Sequence, residues 1–169
     1  DDTLFMKQRD FLPATVPVFM RKLKENGIIP AIATGRTRCA FPHKLNRVIE
    51  QEGIDLFVTM NGQMASYRGQ VIEKHVIPTE KIRHLVHFFE QHNMPYAFVA
   101  DHTVAVSERN SVVQFAMDPI LKDYIVDKVF FEGNDIGQVL PFYRAERDEF
   151  VQNSGILDGL RVVRWHEDS

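Results

Sequence analysis

Residues 28–36 read Ile28-Ile29-Pro30-Ala31-Ile32-Ala33-Thr34-Gly35-Arg36, and residues 55–62 read Asp55-Leu56-Phe57-Val58-Thr59-Met60-Asn61-Gly62. Each is a short apolar run closed by polar, turn-forming residues. Such a run, placed after a helix, predicts a strand buried on both faces. Pro30 conflicts with that reading in the first run, because it has no N–H to give to a ladder. Before that run, Val16, Phe19, Met20 and Leu23 fall at i, i+3, i+4 and i+7 and predict a helix with one apolar stripe. Thr15 is placed to cap it, Pro17 lies in its first turn, and Gly27 is its expected stop. A second helix is expected from about Pro42 to Gln51, with Leu45, Val48 and Ile49 inward and Gly53 as its stop. Helix, strand, helix, strand is the pattern of an α/β fold with a parallel sheet. Ligands of such sheets sit at the carboxyl ends of the strands, where Thr34, Gly35, Arg36, Asn61 and Gly62 fall.

Beyond residue 62 the pattern changes. Gln63–Tyr67 and Val71–Ile77 predict a hairpin turned at Arg68-Gly69-Gln70. Pro78-Thr79-Glu80 opens an amphipathic helix with Ile82, Leu85, Val86 and Phe89 on one face. Strands are expected at Tyr96–Ala100, Thr103–Val106, Ile136–Phe142 and Leu160–Trp165, and helices at Ser111–Ala116 and from about Arg144 to Asn153. This mixed α+β stretch sets a domain boundary near Val76 to Pro78.

Composition narrows the function classes. Lys and Arg number 20 against 23 Asp and Glu, so the net charge of −3 gives no sign of a nucleic-acid or membrane-surface binder. Apolar runs fall far short of the roughly 20 residues a membrane helix needs. One cysteine, Cys39, allows neither an internal disulfide framework nor a cysteine-built zinc site, and a reducing cytoplasm is the simplest setting.

The chain opens on Asp1-Asp2-Thr3-Leu4. Alone, this is a solvated terminus. Likewise Thr34-Gly35 alone is a strand-to-helix turn, Arg36 a surface ion-pair partner, and Asn61-Gly62 a hairpin turn. Taken together, in this order and spacing, the sequence resembles the haloacid dehalogenase superfamily of phosphohydrolases, in its capped, Cof-like branch. That family's first motif is a strand ending Asp-x-Asp-x-Thr-Leu, and Asp1-Asp2-Thr3-Leu4 matches its last four positions. Thr34 takes the place of the second motif's phosphate-binding threonine, and Asn61-Gly62 matches the turn after the third strand. Residues 76–169, with Arg164-Trp165-His166 near their end, resemble the inserted cap.

The resemblance implies a partial Rossmann-like core over residues 1–76 and an α+β cap over 77–169. It implies a Mg²⁺-dependent phosphohydrolase acting on a small phosphorylated metabolite, such as a sugar phosphate, through an aspartyl-phosphate. The nucleophile would lie two residues before Asp1, and the family's lysine and acidic motifs beyond Ser169, so the chain reads as an internal fragment of a longer protein. Asp1 becomes the general acid and base, its backbone carbonyl a magnesium ligand. Thr34 is the catalytic hydroxyl donor. Asp2, Thr3, Gly35, Arg36, Asn61 and Gly62 line the phosphate and substrate. A monomer or homodimer, with neither nucleic acid nor membrane as partner, is expected. A phosphomutase of the same superfamily and a non-catalytic binding protein with this fold are the alternatives.

Three further features have ordinary explanations. His84, His87 and His92 share a predicted helix but flank its apolar face, so they read as surface residues. Glu132-Gly133-Asn134-Asp135 mimics the acidic fourth motif in the wrong place and reads as a loop. The thirteen phenylalanines suit core packing better than base stacking.

Overall fold

The computed structural model describes residues 4, 5 and 11–164. The chain divides into two compact units between His75 and Val76.

In the first unit, helix α1 (Thr15–Glu25) leads to strand β1 (Ala31–Ala33), helix α2 (His43–Glu52), then strands β2 (Leu56–Thr59), β3 (Met64–Tyr67) and β4 (Gln70–Lys74). The four strands form one sheet in the order β1-β2-β3-β4. Strand β1 runs parallel to β2, with Ile32 opposite Phe57, and the β2–β3 and β3–β4 pairs are antiparallel. The fold is therefore α/β, with its parallel pair where the alternation of elements places it.

Helix α1 ends as Gly27 predicts. Gly27 takes φ +74, its N–H bonds the carbonyl of Lys24, and the Ile28 N–H reaches back to Leu23, both at 2.9 Å. This is the doubly bonded glycine stop of a helix C-terminus. Thr15 does not cap: it lies inside the helix, and Ala14 precedes it without a side-chain bond. Of the expected stripe, Val16 and Met20 are buried, whereas Phe19 is 55% exposed. Val16 and Met20 join Ile32, Leu45, Val48 and Ile49 in one core. Burying each such side chain contributes roughly 1.5–3 kcal/mol.

Strand β1 starts only after Pro30, which resolves the conflict over that residue by leaving it outside the ladder. It is also not buried on both faces. Ile32 is buried, but Ala31 and Ala33 are exposed, because the described helices pack on one face of the pair. The β3–β4 hairpin turns on Arg68 (φ 51) and Gly69 (φ 74), a two-residue loop whose twin left-handed residues match the twist of the strands.

The second unit holds helix α3 (Thr79–Gln91), strands β5 (Tyr96–Val99) and β6 (Val104–Val106), helix α4 (Ser111–Met117), strands β7 (Ile125–Val126) and β8 (Gln138–Pro141), and helix α5 (Asp148–Asn153). Its sheet order is β7-β6-β5-β8. Strand β6 is antiparallel to β5 and parallel to β7. Ile82, Leu85 and Phe89 of α3 pack into a core with Tyr96 and Phe98 of β5. Asn110 caps α4 by accepting the Val113 N–H at 3.0 Å.

The strand expected from Leu160 does not form over the described residues to Arg164. Arg164 is instead tied sideways, donating to Asp148 (Nε to Oδ2, 3.1 Å) and to the Tyr143 carbonyl (3.4 Å). A strand needs a ladder partner, and here a guanidinium fork holds the segment. Among the described residues, no helix is long and apolar enough to cross a membrane.

Candidate active site

Strands β1 and β2 end side by side because they are parallel and in register. Their outgoing turns are then stitched together. The Thr34 N–H donates to the Val58 carbonyl (2.9 Å), the Met60 N–H to the Arg36 carbonyl (3.0 Å), and the Asn61 N–H to the Thr34 carbonyl (3.3 Å). Within the first turn, Thr34 Oγ1 accepts the Arg36 N–H at 3.2 Å, the short hydroxyl-to-backbone closure that threonine favours at turns.

The second turn is strained. Met60, Asn61 and Gly62 all have positive φ, at 52°, 56° and 92°. Left-handed backbone costs a non-glycine residue roughly 1–2 kcal/mol, and such residues cluster where the surroundings over-determine the chain. Here Met60 is 2% exposed, so its buried side chain holds the turn from below. Asn61 and Gly62 are exposed above it. Gly35 faces Asn61 so closely that a β-carbon on it would lie 2.7 Å from Asn61 Oδ1.

Thus Thr34, Gly35, Arg36, Asn61 and Gly62 gather in one corner. Asp1, Asp2 and Thr3 lie outside the described residues. Arg36 is partly buried, and its Nη1 donates to the Ala40 carbonyl at 3.1 Å. Burial lowers its pKa from the usual arginine value, yet a guanidinium still stays charged. A hydroxyl, a carboxamide and a guanidinium are hydrogen-bond donors suited to an anion.

The other candidates disperse. His84 sits beside Glu80 (3.4 Å), His87 beside Gln91 (2.9 Å), and His92 Nδ1 bonds the Phe88 carbonyl (2.8 Å). Glu132 is held by Arg83 Nη2 (2.9 Å) in an ion pair, a structural use of that acidic loop. Among the described residues, no three His, Cys, Asp or Glu gather where they would hold a metal.

Two contributors to the corner carried no sequence signal. The left-handed Met60 is one, since methionine has no preference for positive φ. The other is Arg38, whose guanidinium lies over both Phe41 (4.6 Å) and Phe57 (4.5 Å). These rings are near in space but far apart in sequence.

Residues 1–155 match the haloacid dehalogenase-like hydrolase family. The "Putative phosphatase YkrA" of Bacillus subtilis (strain 168) is 28% identical over 99% of this chain and 63% of its own length. A crystal structure of a protein from Geobacillus kaustophilus HTA426 is 32% identical, with a TM-score of 0.82, over 98% of this chain and 62% of that one. The HAD subclass IIB sugar phosphatase BT4131 shares the fold, with a TM-score of 0.78 at 24% identity over 99% of this chain and 65% of that one. The chain thus spans a little over three fifths of the length of these three proteins. A match running from the first residue through both strand-end turns and into the second unit shows that the chain belongs to the haloacid dehalogenase-like hydrolase family.

Proposed function

We propose that this chain is part of a Cof-like phosphatase that hydrolyses a small phosphorylated metabolite, such as a sugar phosphate, and that its joined strand-end turns receive the phosphoryl group. The observation that carries the reading is the backbone stitching of Thr34 and Arg36 to Met60 and Asn61, which sets two donor-rich turns against one another at the carboxyl ends of parallel strands. Phosphoryl transfer depends chiefly on in-line positioning and on neutralising the phosphate oxygens, and pre-set donors supply both.

In this reading the Thr34 hydroxyl and the Asn61 carboxamide donate to phosphoryl oxygens, and Arg36 adds charge. A carboxylate nucleophile bonds to phosphorus as the ester oxygen departs. Asp1 protonates that leaving oxygen, then takes a proton from the water that attacks phosphorus and breaks the acyl-phosphate bond. The described corner offers donors and so suits the anion, not a cation. The Asp1 backbone carbonyl, with carboxylates outside the described residues, would hold magnesium, which would offset the charge of phosphate and carboxylate. Residues 77–169 serve as the cap, whose side chains choose the leaving group.

The test is phosphate release by the full-length protein over a panel of phosphorylated metabolites, with and without Mg²⁺. Magnesium-dependent release from a small phosphate ester is expected. Binding of such esters without release would move the protein to the class of non-catalytic binders, and conversion of one sugar phosphate to its isomer would make it a mutase.

A further inference from the structure

The loop from Thr34 to Phe41 joins β1 to α2 and carries Thr34, Gly35 and Arg36. We infer that Arg38 is the positioning residue that sets this loop at its distance from the Asn61 turn, and that it does so as a clamp without touching the phosphate. This rests on the phosphate-site reading above and extends it to a residue the family resemblance does not assign.

Three contacts among the described residues carry the clamp. The Arg38 guanidinium lies over the Phe41 ring at 4.6 Å, which fixes the far end of the loop. It lies over Phe57 at 4.5 Å, which fixes the loop to β2, the strand that delivers Met60 and Asn61. Its Nη1 donates to Asn46 Oδ1 at 2.8 Å, which fixes it to α2. Asn46 in turn donates to the Phe41 carbonyl at 3.4 Å. Phe41 and Phe57 meet edge to face, 6.1 Å apart, so the guanidinium sits against two mutually packed, inclined rings. One side chain therefore links the loop, the helix after it and the neighbouring strand.

The position calls for arginine. A weakly hydrated guanidinium can sit over two rings and still donate through its fork of N–H groups. A lysine ammonium keeps the charge but has no plane and holds its water. The clamp matters because the two turns meet closely, with Asn61 Oδ1 only 2.7 Å from a β-carbon built on Gly35. A loop free to shift by an ångström would part the donors that must meet one phosphoryl group, a misplacement that can cost ~10²-fold in rate.

The test compares Arg38→Lys, Arg38→Met and Asn46→Ala in the full-length protein. Hydrogen exchange at the Met60 and Asn61 amides reads the clamp directly, since both bond to the loop. Inhibition by inorganic phosphate reads its consequence. Exchange at those two amides is expected to rise about 10-fold in both Arg38 variants, with the Ki for inorganic phosphate rising by a similar factor and little change at amides elsewhere. Asn46→Ala should give a smaller change and add nothing to Arg38→Met. Wild-type exchange and Ki in Arg38→Lys would overturn the inference by showing that charge suffices. A lowered Tm with unaltered Ki and local exchange would also overturn it, reducing Arg38 to a stability residue. If the wild-type protein releases no phosphate, the phosphatase reading fails by itself, and the exchange measurement still decides the clamp.

Discussion

Gly35 and Asn61 occupy one space: a β-carbon on the first would stand 2.7 Å from the side-chain oxygen of the second. Substituting Gly35 with alanine must therefore displace the Asn61 carboxamide, which is exposed and can swing away. Folding should hardly notice, with unfolding free energy changed by about 0.5 kcal/mol or less. Activity should, with kcat/KM for phosphate release falling ~10-fold or more. Denaturant melts and steady-state kinetics on Gly35→Ala separate the two effects, and full activity would show that the Asn61 position is irrelevant to turnover.

Asn61 itself carries a positive φ of 56°. Asparagine tolerates that backbone better than alanine, and glycine better still. Asn61→Ala should be less stable than Asn61→Gly by about 1 kcal/mol in urea titrations, while both lose phosphate-release activity because both lose the carboxamide. Equal stability of the two variants would mean that the turn relaxes out of the left-handed region.

Asp1 is the proposed acid and base. Asp1→Asn in the full-length protein should cut turnover by ~10²-fold or more, the usual scale for such a group. An unchanged rate would remove Asp1 from the chemistry.

Acid stability should depend on a pair far from the corner. Arg21 donates to Glu52 through Nη2 (2.6 Å) and Nε (3.1 Å), linking α1 to α2. That bonding lowers the Glu52 pKa from its ordinary 4.5. A carboxylate whose folded pKa is depressed stabilises the fold above its unfolded pKa and loses that contribution as pH falls through the folded one. Between about pH 5 and about pH 3, the wild type should therefore lose more Tm than Glu52→Gln does. Parallel curves would show that the bond contributes nothing to folding.

Arg164 holds the last described segment to α5 through Asp148, whose pKa its hydrogen bonds lower. Asp148→Asn weakens that fork and should release residues 161–164. Limited trypsin digestion should then cut after Arg161 faster than in the wild type, with the cores of both units protected. Identical cleavage rates would show that the Asp148 fork does not hold the segment.

Local chemistry made much of the first unit legible. Gly27 and Gly53 announce helix ends because few other residues accept their φ values of 74° and 60°. The i, i+3, i+4 apolar pattern announces α2, and Arg68-Gly69-Gln70 announces the hairpin, although Gln70 belongs to the strand and only Arg68 and Gly69 form the loop. Phe19 misled because periodicity shows that a face is apolar but not how wide the covering surface is. Strand β7 escaped notice because two residues, Ile125 and Val126, carry too little pattern and are exposed as well. The expected strand from Leu160 had the right composition, but pairing is decided by what lies alongside, and Asp148 captured Arg164.

At the corner the division is sharper. The sequence alone determined which residue types stand at the ends of β1 and β2, because the alternation of elements and the placing of Thr, Gly, Arg and Asn are local properties. Tertiary structure alone decided that a side chain on Gly35 would displace the Asn61 carboxamide, that Met60 turns left-handed, and that Arg38 sits over both Phe41 and Phe57. Each of those depends on atoms brought together by parallel pairing, and contacts between residues some twenty apart in the chain obey packing, which no local spacing encodes.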